Sequence, residues 1–268
     1  MKLNVLVSTK EQFFTVLGST ADVVYFETAF FPETDWAMMA KHAKEAGKRL
    51  FPALPAVFRE DAFRYFAGNV KAFQSAGFDG VLSRNTEGLF FLKELGVSLP
   101  FTSDHFAYLW NPESKAVLSE AGFTRFTLPV ELSKDELLPV SGPDTELIVY
   151  GYLPMMTTAN CLKKTFASCD RKSGRVCLTD RDGREMTVLC QCRFCTNVIL
   201  NPVPLDLADR MKDVLRISPG SVRLQFTVED ADKTREMIHR FETALSFPDR
   251  VERPGGPFTR GAFLRGTE

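Results

Sequence analysis

The sequence predicts an α/β fold of the TIM-barrel type, a (β/α)₈ barrel formed as a single domain by residues 1–268. Short β-branched or aromatic runs recur at nearly even spacing, amphipathic stretches lie between several of them, and eight such runs fit one barrel. Alternation of strand and helix favours right-handed crossovers and a parallel sheet covered by helices. An open, doubly wound sheet is the alternative topology.

The eight predicted strands are rich in β-branched and aromatic residues and are bounded by turn residues. They are Leu3–Ser8, Asp22–Glu27, Arg49–Leu54, Phe78–Ser83, Leu99–Asp104, Phe123–Val130, Glu146–Tyr152 and Ser221–Phe226. The helices are predicted at Glu33–Gly47, Glu60–Gly77, Thr86–Leu95 and Glu229–Leu245. The first two end at Gly47 and Gly77, where a left-handed cap is expected.

Length and composition exclude several classes of protein. The chain has 268 residues, of which 44% are hydrophobic and 25% charged, so it can bury a large core and is neither disordered nor collagen-like. No apolar run approaches the roughly 20 residues that cross a bilayer, and residues 1–20 lack the pattern of a signal peptide. We therefore expect a cytoplasmic protein without membrane insertion. The net charge of −1 gives no overall field that would hold nucleic acid.

The cysteines are confined to one segment, residues 161–195, which we expect to be an excursion after the seventh strand. They are Cys161, Cys169, Cys177, Cys190, Cys192 and Cys195. A disulfide framework is not expected, because the cytoplasm keeps thiols reduced. Thiolates bind soft metal centres, so the segment predicts either a four-cysteine iron–sulfur cluster or a tetrahedral zinc. One pair alone has the CxxC spacing of structural zinc, which favours the cluster. Six unligated thiols are the remaining alternative.

The same segment is basic. Eight Lys and Arg residues stand against four Asp and Glu residues between positions 161 and 195. The excess of positive charge is usually a solvated face, but beside a metal site it also suits an anionic small molecule or RNA phosphates. It would further offset the negative charge of a thiolate-bound centre.

Polar residues at the carboxyl ends of the predicted strands are the candidates for chemistry, because active sites of such barrels gather there. Glu27, Asp104 and His105 are the candidate catalytic residues. His105 follows Asp104 directly and suits a role as an acid, a base or a ligand. Taken singly, each of the three is more simply explained as a salt-bridged loop residue.

Several segments, in their order, resemble the collagenase-like peptidase family, U32. These are residues 150–156 (YGYLPMM) before Cys161, 178–183 (LTDRDG), 197–205 (NVILNPVPL) and 258–266 (FTRGAFLRG). Residues 101–111 and 129–133 are also similar to the anaerobic ubiquinone-hydroxylation branch and its RNA-hydroxylating relatives. The likeness spans most of the chain.

This resemblance implies a barrel-like domain holding a four-iron four-sulfur cluster on Cys161, Cys169, Cys177 and Cys195. Cys190 and Cys192 are additional cysteines, and either is an alternative to Cys177 or Cys195. The resemblance also implies oxygen-independent hydroxylation of RNA bases or of a ubiquinone precursor, with prephenate as a required metabolite. Paired subunits in the quinone branch imply a heteromeric protein partner.

Two other functions stay open at this stage. Some relatives were named peptidases, although the sequence has neither HExxH nor GxSxG, the motifs that would supply a catalytic zinc or an activated serine. The third hypothesis is a zinc-stabilised module that binds RNA through the basic segment. We place the hydroxylase first and expect an enzyme.

Overall fold

Eight parallel strands form a closed barrel in the computed structural model, which describes residues 1–166 and 168–266. They are β1 (Lys2–Val7), β2 (Val23–Glu27), β3 (Arg49–Ala53), β4 (Val81–Ser83), β5 (Phe101–Ser103), β6 (Phe123–Thr127), β7 (Thr145–Gly151) and β13 (Ser221–Gln225). The ring closes because β6 pairs with β7, at Phe126 with Thr145 and at Thr127 with Glu146. The predicted barrel is confirmed, and the open sheet is wrong.

Helices follow most of the strands and cover the outside of the barrel. They are α1 (Lys10–Leu17), α2 (Glu33–Glu45), α3 (Glu60–Gly68), α4 (Val70–Ser75), α5 (Thr86–Glu94), α6 (Pro112–Ala121), α7 (Lys134–Leu137), α8 (Leu162–Phe166), α9 (Met211–Ile217) and α10 (Ala231–Ser246). Among the helices of the described ranges, none is both long enough and apolar enough to cross a membrane.

Three predicted helices, Glu33–Gly47, Thr86–Leu95 and Glu229–Leu245, agree with the structure to within two residues at each end, and the fourth is divided. The single helix expected over residues 60–77 is divided into α3 and α4 at Asn69, whose φ of −114° leaves the helical region. The side-chain amide of Asn69 donates to the Tyr65 carbonyl at 2.9 Å. Such side-chain bonds to the backbone compete with continuation of the helix. Gly47 and Gly77 have φ values of +69° and +85°, as expected for the left-handed position after a helix.

Side chains alternate between two environments along the barrel strands, because successive residues of a strand point to opposite faces. Val5, Val24 and Phe26 belong to the large apolar core between strands and helices. Leu6 and Tyr25 belong to a second, smaller cluster inside the barrel. Some inward-facing positions of the barrel are therefore apolar, and the others are occupied by polar residues.

The cysteine-rich segment forms a second sheet after β7, which we call the cysteine sheet. Its strands are β8 (Pro154–Thr158), β9 (Gly174–Thr179), β10 (Glu185–Gln191) and β11 (Thr196–Leu200), and all pairings are antiparallel in the order β8-β11-β10-β9. The chain then returns through β12 (Leu205–Asp206), which pairs antiparallel with β7. The expected excursion after the seventh strand is present.

The cysteine sheet covers the mouth of the barrel. Its buried residues Leu189, Val198 and Leu200 pack against Phe30 and Tyr152, which follow strands β2 and β7. Burial of such apolar side chains is the main force that holds the two sheets together. The carboxyl ends of the barrel strands, where an active site was expected, thus lie beneath the cysteine sheet.

Candidate functional site

A buried ion network lies at the carboxyl ends of β2, β4 and β5. The Arg84 guanidinium, which follows β4, donates to Glu27 Oε1 at 2.5 Å and to Asp104 Oδ2 at 2.9 Å. All three side chains are less than a tenth exposed. Charges removed from water in this way are tolerated because each cation is paired and hydrogen-bonded.

Arg223 extends the network into the barrel. Its Nη2 lies 2.5 Å from Asp104 Oδ1, and its Nη1 lies 3.1 Å from Glu146 Oε1. The Tyr25 hydroxyl donates to the second oxygen of Glu146 at 3.2 Å. Burial alone would raise the pKa of Asp104. The charges of Arg223 and Arg84 and the contact with His105 outweigh that effect and keep the pKa of Asp104 well below its usual range.

The three candidate catalytic residues are brought together by this network. His105 is buried beside Asp104, with its Nδ1 3.0 Å from Asp104 Oδ1, and its ring packs on Phe106 at a centroid distance of 4.1 Å. Arg84 donates hydrogen bonds to both Glu27 and Asp104 and so links Glu27 to the same carboxylate. Their catalytic role stays a prediction, since each already has a charged or hydrogen-bonding partner within the fold.

The space above these residues is small. Glu27 and Arg84 share a cavity of about 20 Å³ with Gln191 of the cysteine sheet and Gln225 of β13. A cavity needs about 10–15 Å³ to hold one water molecule, so this one is far too small for a substrate. Glu27, Asp104 and His105 are all buried in this arrangement.

The cysteine side chains occupy different positions on the cysteine sheet and on the segment that leads into it. Cys161 precedes α8 and Cys169 follows it, Cys177 lies on β9, and Cys190 lies on β10. Cys192 and Cys195 flank the turn between β10 and β11, where Cys195 has a φ of +49°. Local geometry therefore presents Cys192 and Cys195 from one tight turn.

Four of the six cysteines line one cavity of about 690 Å³, which we call the thiol cavity. They are Cys161, Cys169, Cys192 and Cys195. Cys177, the remaining expected ligand, lines a different cavity with Leu162 and Val176. The structure thus brings three expected ligands together and adds Cys192, which sequence reasoning had kept as an alternative.

Positive charge surrounds the thiol cavity. Arg64 of α3, Lys164, Arg171 and Arg193 line it, against the single carboxylate of Asp61. The basic character predicted for the cysteine segment is therefore concentrated around the thiols. Barrel helix α3 contributes to it as well, through Arg64.

The thiols influence each other electrostatically. Burial raises the pKa values of Cys190, Cys192 and Cys195, and the neighbouring Cys161 and Cys169 raise all three further. Lys163 acts in the opposite direction and lowers the pKa values of Cys190 and Cys192, because a nearby cation favours the thiolate. Binding of a metal centre would favour the thiolates further and release their protons.

Two side chains fasten the turn that carries Cys192 and Cys195. Arg193 donates from Nη1 to the Phe31 carbonyl at 2.8 Å and also to the Thr28 carbonyl, and its guanidinium lies 4.8 Å from the centre of the Tyr65 ring. Phe194 is buried and stacks on Phe66 at 5.9 Å. The turn is thus held against the barrel from both sides.

The thiol cavity offers four cysteine side chains, the donor type that an iron–sulfur cluster takes. Within residues 1–166 and 168–266, no three His, Cys, Asp or Glu side chains converge closely enough to hold one metal ion. The thiolates of a cubane cluster bind separate irons at its corners and so lie farther apart than the ligands of one ion. Four thiols on the wall of one cavity supply the number of ligands that such a cluster takes.

One feature of this site was missed by sequence reasoning, and a second was kept only as an alternative. Arg64 precedes the cysteine segment by about a hundred residues, and no local pattern linked it to the thiols. Cys192 was kept as an alternative ligand, and its CxxC spacing with Cys195 is a local signal that the two lie in one turn.

The fold and the site together define a TIM-barrel protein whose mouth carries a sheet with a thiol-lined, basic cavity. The profile of Peptidase family U32 matches residues 10–237. The chain therefore belongs to the U32 peptidase family.

Solved structures agree with the fold. A U32 peptidase superposes with a TM-score of 0.50 at 11% identity, covering 86% of this chain and 94% of its own. A native KDPGal structure superposes with a TM-score of 0.52 at 8% identity, covering 92% of this chain and 96% of its own. At such identities the likeness concerns the barrel alone.

Proposed function

We propose that this protein holds a four-iron four-sulfur cluster on Cys161, Cys169, Cys192 and Cys195. The observation that carries the proposal is the position of these four thiols around one cavity of about 690 Å³. Cys192 replaces Cys177 in the set implied by family resemblance, because Cys177 lines a separate cavity.

The bound cluster would supply one-electron transfer, and four cysteine ligands would leave it without an open iron. The chain's own residues have other tasks. Arg193 and Phe194 fix the turn that presents two of the thiols. Arg64, Lys164 and Arg171 offset the negative charge of four thiolates and leave positive charge for an anionic substrate.

The reaction we propose is oxygen-independent hydroxylation, of RNA bases or of a ubiquinone precursor. The basic rim of the thiol cavity supports a phosphate-bearing substrate, so we place RNA before the quinone precursor. The same charge also suits prephenate, the anionic metabolite associated with the family. Action in the cytoplasm with a heteromeric protein partner belongs to this proposal, since a reducing compartment preserves clustered thiols.

A peptidase is the alternative that the family name supports. A cysteine or serine peptidase needs a nucleophile hydrogen-bonded to an oriented base. In the described part of the chain, no hydrogen bond joins a histidine side chain to a serine or cysteine, and the His105 ring is bonded to Asp104. A zinc-stabilised RNA-binding module is the non-catalytic alternative.

Serine substitutions test the ligand set directly. Cys161→Ser, Cys169→Ser, Cys192→Ser and Cys195→Ser should each lower the iron content of protein purified without oxygen. Cys177→Ser is the matched control, because it removes an exposed thiol of the same sheet from outside the thiol cavity. Iron retained in the first four variants, or lost with Cys177→Ser alone, would contradict the proposed set.

Mass spectrometry of nucleosides and quinones tests the reaction. Cells that lack this chain, grown without oxygen, should lose a hydroxylated nucleoside or a hydroxylated quinone intermediate. Wild-type protein should restore it, and Cys192→Ser should not. Cleavage of denatured collagen or casein by the purified protein, with unchanged RNA and quinone profiles, would favour the peptidase instead.

A further inference from the structure

Two aromatic side chains project into solvent from the loop that follows β5, at the rim of the barrel mouth. Tyr108 is 55% exposed and Trp110 is 43% exposed, whereas Leu109 between them is buried. A single exposed aromatic residue is ordinary on a protein surface, but neighbouring ones form an apolar surface that is typical of a binding site. We call these two rings the aromatic pair.

The rings of the aromatic pair are nearly parallel. Their planes are inclined by 25° and their centroids are 6.5 Å apart. This spacing is at the wide end of the range of about 4.5–7 Å for paired rings, so the two rings leave much of their faces in solvent. Two flat surfaces with one orientation suit a planar ligand.

Backbone hydrogen bonds fix the loop on both sides of the pair. The Tyr108 N–H donates to the His105 carbonyl at 3.2 Å, and the Trp110 N–H donates to the Tyr108 carbonyl at 2.9 Å. Directly after the pair, the Asn111 side chain caps α6 by accepting from the Ser114 N–H at 2.8 Å. A backbone that is already ordered lowers the entropy lost when a ligand binds.

Tyr108 has an unusual backbone conformation. Its φ of +53° and ψ of +57° lie in the left-handed region, which is strained for a residue with a bulky side chain. Strain of this kind clusters at functional sites. Arg171 and Cys195, two other non-glycine residues with positive φ, line the thiol cavity. The strain at Tyr108 therefore indicates a functional loop.

The loop also lies where chemistry is expected in this fold. It begins with Asp104 and His105, which are candidate catalytic residues at the carboxyl end of β5. Phe106, in the same loop, lines the small cavity that Pro154 and Thr157 of β8 also line. The aromatic pair thus belongs to a loop that contacts the cysteine sheet.

We propose that the aromatic pair stacks an unpaired base of single-stranded RNA. Every nucleobase has a flat π-face, and aromatic side chains bind such faces with little sequence preference. A base within a duplex is already stacked between its neighbours, so the pair would select unpaired regions. An apolar protein or membrane surface would not require the two rings to be parallel. The inference rests on RNA as the substrate of the proposed function, and it adds base stacking to the phosphate contacts proposed at the thiol cavity.

Tryptophan fluorescence of the full chain reports on this site selectively. The sequence has two tryptophans, and Trp36 is only 1% exposed, so an external quencher reaches Trp110. A single-stranded adenylate RNA of about 12 nucleotides should quench the emission saturably, and an RNA duplex of the same length should not. No quenching, or equal quenching by the duplex, would overturn the proposal. A blue shift with phosphatidylglycerol vesicles and no quenching by RNA would assign the rings to a membrane surface instead.

Leucine substitutions then separate stacking from phosphate contacts. Tyr108→Leu and Trp110→Leu should each weaken binding of the labelled single strand, measured by fluorescence anisotropy, at least about fivefold. Binding of the duplex through its phosphates should not change. Phe247→Leu is the matched control, because Phe247 is 51% exposed but has the Arg250 guanidinium 4.6 Å from its ring centre. It should change neither affinity. Unchanged binding of the single strand, or equal losses for single strand and duplex, would contradict stacking.

These outcomes are distinguishable from those that test the cluster. An absence of quenching in protein that carries iron would contradict base stacking alone. Quenching by the single strand in protein that binds no iron would contradict the proposed cluster alone.

Discussion

Replacing Arg193 with methionine tests how the thiol pair is held in place. Arg193 lies between Cys192 and Cys195 and donates to the carbonyls of Phe31 and Thr28. Methionine keeps much of the apolar stem but has no donor for these carbonyls and no charge over the Tyr65 ring. The perturbation therefore affects the anchoring of the turn and leaves both thiols intact.

The magnitude follows from these contacts. A hydrogen bond to a charged group contributes about 1.5–3 kcal/mol, and a cation–π contact about 0.5–2 kcal/mol. Since Phe194 still packs on Phe66, we expect a loss of about 2–4 kcal/mol in the docking of the turn. Each 1.4 kcal/mol is a factor of ten, so the turn should open at least about 30-fold more often.

Hydrogen exchange of the peptide that spans the turn measures this opening without requiring a cluster. The Phe194 amide, which donates to the Gln191 carbonyl at 3.0 Å, should exchange at least about 30-fold faster in Arg193→Met. Release of iron to a chelator under anaerobic conditions should accelerate in the same variant.

Arg64→Met is the matched control for the Arg193 variant. It removes a positive charge from the wall of the same cavity, but Arg64 makes an exposed ion pair with Glu60 within α3. Such pairs contribute little, so exchange at the turn should not change. Wild-type exchange in Arg193→Met, or equal acceleration in both variants, would refute the anchoring role.

Three further predictions concern stability. Arg223→Met should cost about 3–5 kcal/mol in urea unfolding, since it leaves two buried carboxylates without their shared cation; a loss below about 1 kcal/mol would contradict this. Gly151→Ala should also destabilise, because Gly151 has a φ of +136° and a Cβ there would lie 2.3 Å from the Gln225 carbonyl oxygen; an unchanged thermal midpoint would contradict it. The raised pKa of Glu229 means that the folded state holds its proton above the ordinary value of 4.5, so raising the pH through that window should lower wild-type stability relative to Glu229→Gln, and parallel pH profiles would contradict it.

The barrel was predictable from sequence because burial on both faces leaves a local pattern. Strands such as Val23–Glu27 are almost wholly buried and read as apolar runs. The polar interior had a signal as well. In β13, Ser221, Arg223 and Gln225 alternate with apolar residues, which is the period expected when one set points into the barrel.

The position of the cysteine sheet over the barrel mouth was not predictable in the same way. It depends on contacts between Leu189 or Val198 and loop residues such as Phe30, far away in sequence. The hydrophobic periodicity of a sequence does not predict contacts between residues that are far apart in the chain. For the same reason the sequence placed Glu27, Asp104 and His105 near one another at the strand ends but did not predict that one buried ion network would join them.

The clustering of the cysteines was visible in sequence, but their arrangement in space was not. The clustering of all six cysteines pointed to a metal centre, and family resemblance implied Cys177 as a ligand. Strand pairing separates the positions: Cys177 lies opposite Thr187 on an exposed part of β9, while the turn at Cys192 and Cys195 faces α3. Such geometry follows from register, which spacing alone does not specify.

Iron and acid-labile sulfide analysis of wild-type protein purified without oxygen, with an ultraviolet–visible spectrum of the same sample, tests the central claim most directly. The account predicts about four irons and four sulfides per chain, with the brown charge-transfer absorption of a cluster on four thiolates. One zinc with no sulfide, or thiols free of metal, would contradict it and give the cysteine sheet a structural role.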